Sequence, residues 1–362
     1  MEMNEWLYLS IVPGIGLKKQ KAILDYCGNE KRILTLEEKE LDAIPLLNQK
    51  DKEMLLLYRR NSKFYNNAIE KMKQYGVSFI GKGEKGFPQK LLLCPDPPVG
   101  LFYRGRLPRQ EQKTIAIVGA RACSRYGEHY AKKISEALVD SGAQVISGLA
   151  RGIDGYATEA AVERKGRAFA VLAGGVEMIY PPEHYNLYHK TIAYGGAISE
   201  YPVGIKPAKG MFPRRNRIIS GLADAVIIIE AREKSGSFIT ADYALEQGRD
   251  IYVLPGRVDD PLSAGCNRYI REGAGIITSI KELLLDLGLK GIETGAPDKK
   301  EKIILEKQES LVYAFLSLVP KGLDEIIAES GMDVKSVIDT LFKLVEMGLA
   351  EECYKNQFVR RR

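Results

Sequence analysis

Thr114-Ile-Ala-Ile-Val-Gly-Ala-Arg121 is an apolar run without alternation that breaks on a glycine and then an arginine. A run of that kind is the pattern of a parallel strand covered on both faces. A helical pattern follows over Glu128–Val139. The unit then repeats, with a strand at Gln144–Ser147, the loop Gly148-Leu-Ala-Arg-Gly-Ile-Asp154 and a helix over Gly155–Arg164. Further strands are expected at Ala168–Leu172, Ala197–Glu200, Ala225–Glu230 and Asp250–Leu254, after a preamble at Val77–Ile80 and Pro95–Leu101. Strand, loop and helix alternating at this spacing predict an α/β fold built on a doubly wound, Rossmann-like sheet.

Most of these strands end in glycine: Gly119, Gly148, Gly174 with Gly175, and Gly256. Ligands of such sheets bind at the carboxyl ends of the strands, so these loops are expected to converge on one crevice. The stretch Lys206-Pro-Ala-Lys-Gly-Met-Phe-Pro-Arg-Arg-Asn-Arg-Ile-Ile-Ser220 leads from that edge into the next helix. It gathers Lys206, Lys209, Arg214, Arg215 and Arg217 with no acid among them, around Phe212. Gly210 permits close backbone approach, and Pro213 suits a first helical turn whose inner side carries Ile218, Ile219 and Leu222. Ala231-Arg-Glu-Lys-Ser-Gly-Ser237 reaches the same edge, with Ser237 expected to cap the helix Phe238–Gln247 and Gly248 to end it. Arg121, Lys209, Arg215, Arg217, Arg232 and Lys234 are thus expected to face one cleft. Basic side chains, an aromatic and a helix start are the parts of a site for an unstacked, phosphate-rich strand. The plainer reading is a solvated basic loop, and Asp154, Glu200 and Glu230 read either as catalytic carboxylates or as partners that hold the arginines.

Outside the sheet, residues 1–70 read as small helices. Leu9-Ser-Ile-Val-Pro-Gly-Ile-Gly16 before Leu17–Cys27 has the form of a helix-hairpin-helix, with Lys18, Lys19 and Lys21 nearby. Its glycine turn can offer N–H groups to a phosphate. A poorer copy around Leu41–Tyr58 lacks the glycines, and a packing module is the favoured reading. After the sheet region, 77–287, residues 288–304 read as a polar, glycine-bearing linker. Residues 305–362 have winged-helix order. A third helix is capped by Asp333 and stopped by Gly348, and a hairpin follows around Lys355-Asn356. That helix carries Lys335, Asp339, Lys343 and Glu346 on its outer face, a mixture that suits a protein contact at least as well as a DNA groove.

Composition narrows the class. The chain has 362 residues, 45% hydrophobic and 28% charged, with net charge +6, which permits a polyanionic partner. Five scattered cysteines without a C-x-x-C pair suggest neither disulfides nor zinc, hence a reducing, cytoplasmic setting. No apolar run is long enough for a bilayer. No G-x-G-x-x-G follows the Thr114–Val118 strand, and the P-loop motif, H-E-x-x-H and G-x-S-x-G are missing, so no dinucleotide, metal or nucleophile chemistry is indicated.

Together, I-V-G-A-R (117–121), S-G-L-A-R-G-I-D (147–154), V-L-A-G-G-V-E-x-x-Y-P-P-E-H (171–184), S-E-Y-P (199–202), F-P-R-R-N-R-I-I-S-G-L-A-D (212–224) and K-S-G-S-F-I-T-A (234–241) resemble the DNA-processing protein A family (DprA, also called Smf). The resemblance spans essentially the whole chain. It implies an extended Rossmann-like domain, flanked by a helical SAM-like domain and a winged-helix domain. It also implies a protein without enzymatic activity or cofactor. Such a protein binds single-stranded DNA and passes it to the RecA recombinase beyond single-strand-binding protein, in natural transformation. A homodimer through the Rossmann-like domain is implied too. In relatives the strand lies at the glycine loops, matched here by the loops of Arg121 and Gly148, by Lys209, Gly210 and Phe212, and by Arg214, Arg215, Asn216 and Arg217. Arg232 and Lys234 match more loosely. In this scheme arginines and lysines neutralise phosphates, Phe212 stacks a base, Asn216 meets a base or sugar edge, and glycine N–H groups take phosphate oxygens. The rival class is a nucleotide-handling enzyme or nucleotide sensor on a related fold, with the Ser235-Gly-Ser237 helix start as its phosphate site.

Overall fold

The computed structural model describes residues 3–289 and 305–361. The linker expected at 288–304 therefore lies, from residue 290 on, outside the described residues. A nine-stranded sheet organises the larger of two compact units. In chain order its strands are β1 (Ser78–Gly81), β2 (Gly100–Gly105), β3 (Thr114–Gly119), β4 (Gln144–Ser147), β5 (Ala168–Val171), β6 (Gly196–Ser199), β7 (Ala225–Ile229), β8 (Asp250–Val253) and β9 (Gly275–Ile276). Their spatial order is β1-β2-β6-β5-β4-β3-β7-β8-β9. From β6 to β9 all pairs are parallel, with Ile115 opposite Val145 on one side and Ala225 on the other. The β1–β2 hairpin adds two antiparallel strands at the β6 edge. β9, only two residues long and starting in glycine, has no pattern from which it could be expected.

Both faces of the parallel part are covered, as its unbroken apolar runs require. Within β5, Phe169 and Val171 join the core formed with Ile218, Ile219 and Leu222 of helix Met211–Leu222. Ala170, and Leu172 just beyond the strand, point the other way, into a smaller core with Tyr188 of helix Tyr185–Tyr194. Period-two alternation thus shares one strand between two helical layers.

The N-terminal helices belong to the same compact unit as the sheet. Leu7, Tyr8, Leu9 and Ile23 share a core with Val99, Phe102 and Val176. Trp6, the chain's single tryptophan, lies against Gly81, where a Cβ would come within 2.3 Å of its ring. The stretch read as a hairpin folds as helices Glu5–Ile11 and Leu17–Cys27 on either side of Gly14, whose φ is 81°. Its lysines are partly engaged elsewhere: Lys19 pairs with the buried Asp51 at 2.7 Å, and Lys21 reaches the Pro95 carbonyl at 3.4 Å. These contacts favour the packing role.

The second unit holds helices Lys307–Phe315, Leu323–Ser330 and Val334–Glu346 and a three-stranded sheet. Asp333 caps the last helix by accepting from the Ser336 N–H, and Gly348 follows it with φ 67°. Lys335, Asp339, Lys343 and Glu346 are all surface residues, at least partly exposed.

Docking of the N-terminal helices should be sensitive to one methyl group. Gly81→Ala is expected to destabilise the unit by about 1–3 kcal/mol through overpacking. The Trp6 emission should shift to the red at lower urea than in the parent. Unchanged emission and midpoint would show that the indole is not wedged there.

Candidate nucleic-acid interface

β3 and β7 are neighbours, yet the chain leaves β3 toward β4 and leaves β7 toward β8. Loops that part in this way open a crevice at the carboxyl ends of the strands. The backbone is held in unusual conformations around it. Leu149 after β4 and Glu230 after β7 have φ of 54° and 49°, and both are buried. Non-glycine residues in the left-handed region persist only where surroundings over-determine them, as at functional sites.

The crevice is a pocket of about 710 Å³. Phe212 and Asn216, four apart on helix Met211–Leu222, share one of its walls. Tyr180 approaches Phe212 with ring centroids 5.5 Å apart and planes inclined by 57°. The Arg121 guanidinium lies 5.7 Å from the centre of the Phe212 ring, within cation–π range. Lys209 stands exposed at the rim. Across from these, Ser235, Gly236 and Ser237 bring in the start of helix Ser237–Glu246. Ser237 is the helix's first residue and Gly236 its cap, so the expected Ser237 cap is replaced. The two hydroxyls of Ser235 and Ser237 hydrogen-bond to each other at 2.7 Å instead.

The arginines divide in a way that differs from expectation. Arg215 is 6% exposed and lies at the pocket floor. Its guanidinium donates to the Gly148 carbonyl at 2.8 Å and to the Val171 carbonyl, and its Nε donates to Asn216 Oδ1 at 3.1 Å. Beside it Asp154, also buried, accepts from the Gly148 N–H at 3.0 Å. Burial pushes the Asp154 carboxyl up and pulls the Arg215 guanidinium down to about 10, and each charge opposes the other's shift. Arg217 does not face the cleft. It is 4% exposed, forms an ion pair with the equally buried Glu200, and donates to the Asp96 carbonyl at 2.7 Å. Burial raises the Glu200 carboxyl, with Arg217 as the main opposing charge. Asp154 and Glu200 are thus the partners of buried arginines.

Gly148 also takes a different role. Its N–H donates to Asp154 and is not left for a phosphate, and its carbonyl accepts from Arg215. A Cβ there would sit 2.5 Å from the Arg215 guanidinium, so glycine is required to let that group lie across the loop. Gly210 is exposed at φ −72° with open space around it, and needs no glycine. Arg214, Arg232 and Lys234 are exposed but stand outside the residues lining the pocket. The pocket therefore brings together Arg121, Lys209, Phe212, Arg215 and Asn216 of the expected set. It adds Tyr180, whose role the Tyr-Pro-Pro stretch left unread, and Ser235, foreseen only as a rival phosphate site.

Residues 78–288 match the family described as DNA recombination-mediator protein A. The chain is 33% identical to protein Smf of Synechocystis over 97% of both chains. It is similar to the crystal structure of DNA processing protein A from Streptococcus pneumoniae, with 31% identity and a TM-score of 0.69. That match covers 79% of this chain and 99% of the other. It is also similar to DNA processing protein A from Helicobacter pylori, whose structure describes a single-stranded DNA binding mode. There the identity is 28% and the TM-score 0.53, over 58% of this chain and 95% of that one.

Arg215→Met should leave Asp154 charged and unpaired in the interior, at a cost of about 3–5 kcal/mol. Arg215→Met with Asp154→Asn should recover much of that loss in urea unfolding. A single variant with the parent's midpoint would mean that the guanidinium is not part of the framework.

Proposed function

The chain belongs to the DNA recombination-mediator protein A family, and from that premise we propose that it binds single-stranded DNA in the 710 Å³ crevice without turning it over. One observation carries the proposal: the Phe212–Tyr180 pair, with Arg121 over the Phe212 ring, at the mouth of a basic pocket. Only unpaired bases expose the faces that such a platform stacks, so single strands are preferred over duplex. Arg121 and Lys209 neutralise phosphates without reading sequence. Asn216 offers its side chain beside the platform. Arg215 serves as a buried floor that fixes the helix, and Arg217 with Glu200 fixes the far side of that helix.

Binding without chemistry fits the state of the polar groups. Asp154 is held by the Gly148 N–H beneath Arg215, and the Ser235 and Ser237 hydroxyls satisfy each other. The rival reading, a nucleotide-handling enzyme, draws on the helix start at Ser235–Ser237 that faces the pocket. Incubation with nucleoside phosphates and short oligonucleotides separates the two. Retention without products supports the binder, and sustained turnover supports the enzyme.

In the same scheme the DNA is handed to the RecA recombinase past single-strand-binding protein, by a homodimer joined through the α/β domain and acting in the cytoplasm. Among the described residues no helix is long and apolar enough to cross a membrane. The last unit is read as a winged helix that contacts protein. Its third helix exposes Val334 and Phe342 among charges of both signs.

Phe212→Ala should weaken binding of a short homopolymer by about 1–3 kcal/mol with little change in salt slope. Arg121→Ala should lower the slope by about 0.7 for each phosphate no longer neutralised. Tyr180→Ala should follow Phe212. Parent-like binding by Phe212→Ala and Tyr180→Ala would remove the stacking platform and leave only electrostatics.

A further inference from the structure

A second hollow, of about 490 Å³, lies beside the first. Arg151, Lys190, His184 and Tyr156 line it, over the glycine-flanked start of helix Ile153–Glu163, and Arg121 belongs to both hollows. A narrow cleft of about 40 Å³ links them. Its walls contain Phe212, Tyr180 and Arg215 from the first hollow and Arg151 from the second, with Arg121 again common to all three. The three depressions thus form one track that turns on Arg121, and none of the shared residues belongs to a lone surface patch.

The charges along this track are suited to a chain of phosphates. Lys190 is exposed, and His184 is fixed by a 3.0 Å hydrogen bond between its Nδ1 and the Leu149 carbonyl. Arg151 is exposed and paired with Glu183, which is exposed as well. An ion pair in water is weak and easily exchanged. A phosphate arriving in the hollow can take Arg151 from Glu183 at little cost. Glu159, also in the lining, adds one opposing charge, so the hollow favours an anion only through Arg121, Arg151 and Lys190 acting together.

We propose that a single strand seated in the first hollow runs on across Arg121 into the second, where Arg151 and Lys190 hold its following phosphates. The inference rests on the single-strand reading of the first hollow. It makes the site longer than the aromatic pocket and gives it a second, purely electrostatic half. Glu183 then acts as a placeholder that occupies Arg151 until DNA arrives.

The test is a length series of deoxythymidine homopolymers from about 4 to about 16 nucleotides, the span of known single-strand site sizes. For the full-length parent, affinity should rise in two stages as the strand first fills one hollow and then both. In Arg151→Ala with Lys190→Ala, short strands should bind as to the parent. Long strands should fall toward the short-strand affinity, with the salt slope lower by about 0.7 for each phosphate that the variant leaves unneutralised. Glu183→Gln should do the reverse, tightening long strands and leaving short ones alone. Equal loss for short and long strands, or none for either, overturns the second subsite while the proposed function stands. Failure of the parent to bind any homopolymer overturns both.

Discussion

Arg215 carries a full positive charge into the interior at the carboxyl ends of β4 and β5, where desolvation alone costs several kcal/mol. The surroundings answer that cost group by group. The Gly148 and Val171 carbonyls accept its N–H groups, Asp154 supplies the opposing charge, and Gly148 has no side chain to obstruct it. These partners come from different connections of the sheet. Their common dependence on one guanidinium ties the loop after β4, the end of β5 and helix Met211–Leu222 into a single rigid corner.

That corner determines what the helix presents. Of its buried positions, Ile218 packs in the core, Arg217 reaches the Glu200–Asp96 side, and Arg215 and Ile219 close the crevice floor. Phe212 and Asn216, less buried, stand above that floor on the crevice wall. A stacking side chain is useful only if its ring is held at a constant angle, because lost mobility would otherwise oppose each bound base. Here the anchor and the platform are neighbours on the same helix. Arg215 and Arg217 are therefore held as supports, and the side chains that the helix leaves facing the crevice are fewer and more aromatic than the composition of the loop suggests.

The N-terminal helices have a hydrophobic core of their own, which reaches the sheet through Trp6 against Gly81 and through Phe102 of β2. Of their lysines, Lys19 pairs with Asp51 within the module and Lys21 reaches the Pro95 carbonyl outside it. The last unit has its own core around Val312, Ile326, Val337 and Leu341, with a mixed-charge outer helix face.

The sequence by itself determined the sheet. Each strand from Thr114 to Val253 was legible to within about one residue at its ends, because an apolar run closed by glycine is a local pattern set by burial on both faces. The crevice at the carboxyl edge followed from that alternation, and Phe212 was legible as an aromatic amid cations. Only the tertiary structure decided which cations are which. Arg214, Arg215 and Arg217 are the same residue type within one turn of helix, yet one is exposed and two are buried. The difference lies in Gly148, Val171, Glu200 and Asp96, as much as 121 residues away in the chain. Tyr180 was hidden for the same reason, since its place beside Phe212 depends on two loops meeting in space. Periodicity is written along the chain, whereas the partner of a charge or a ring is a long-range neighbour that no local pattern records.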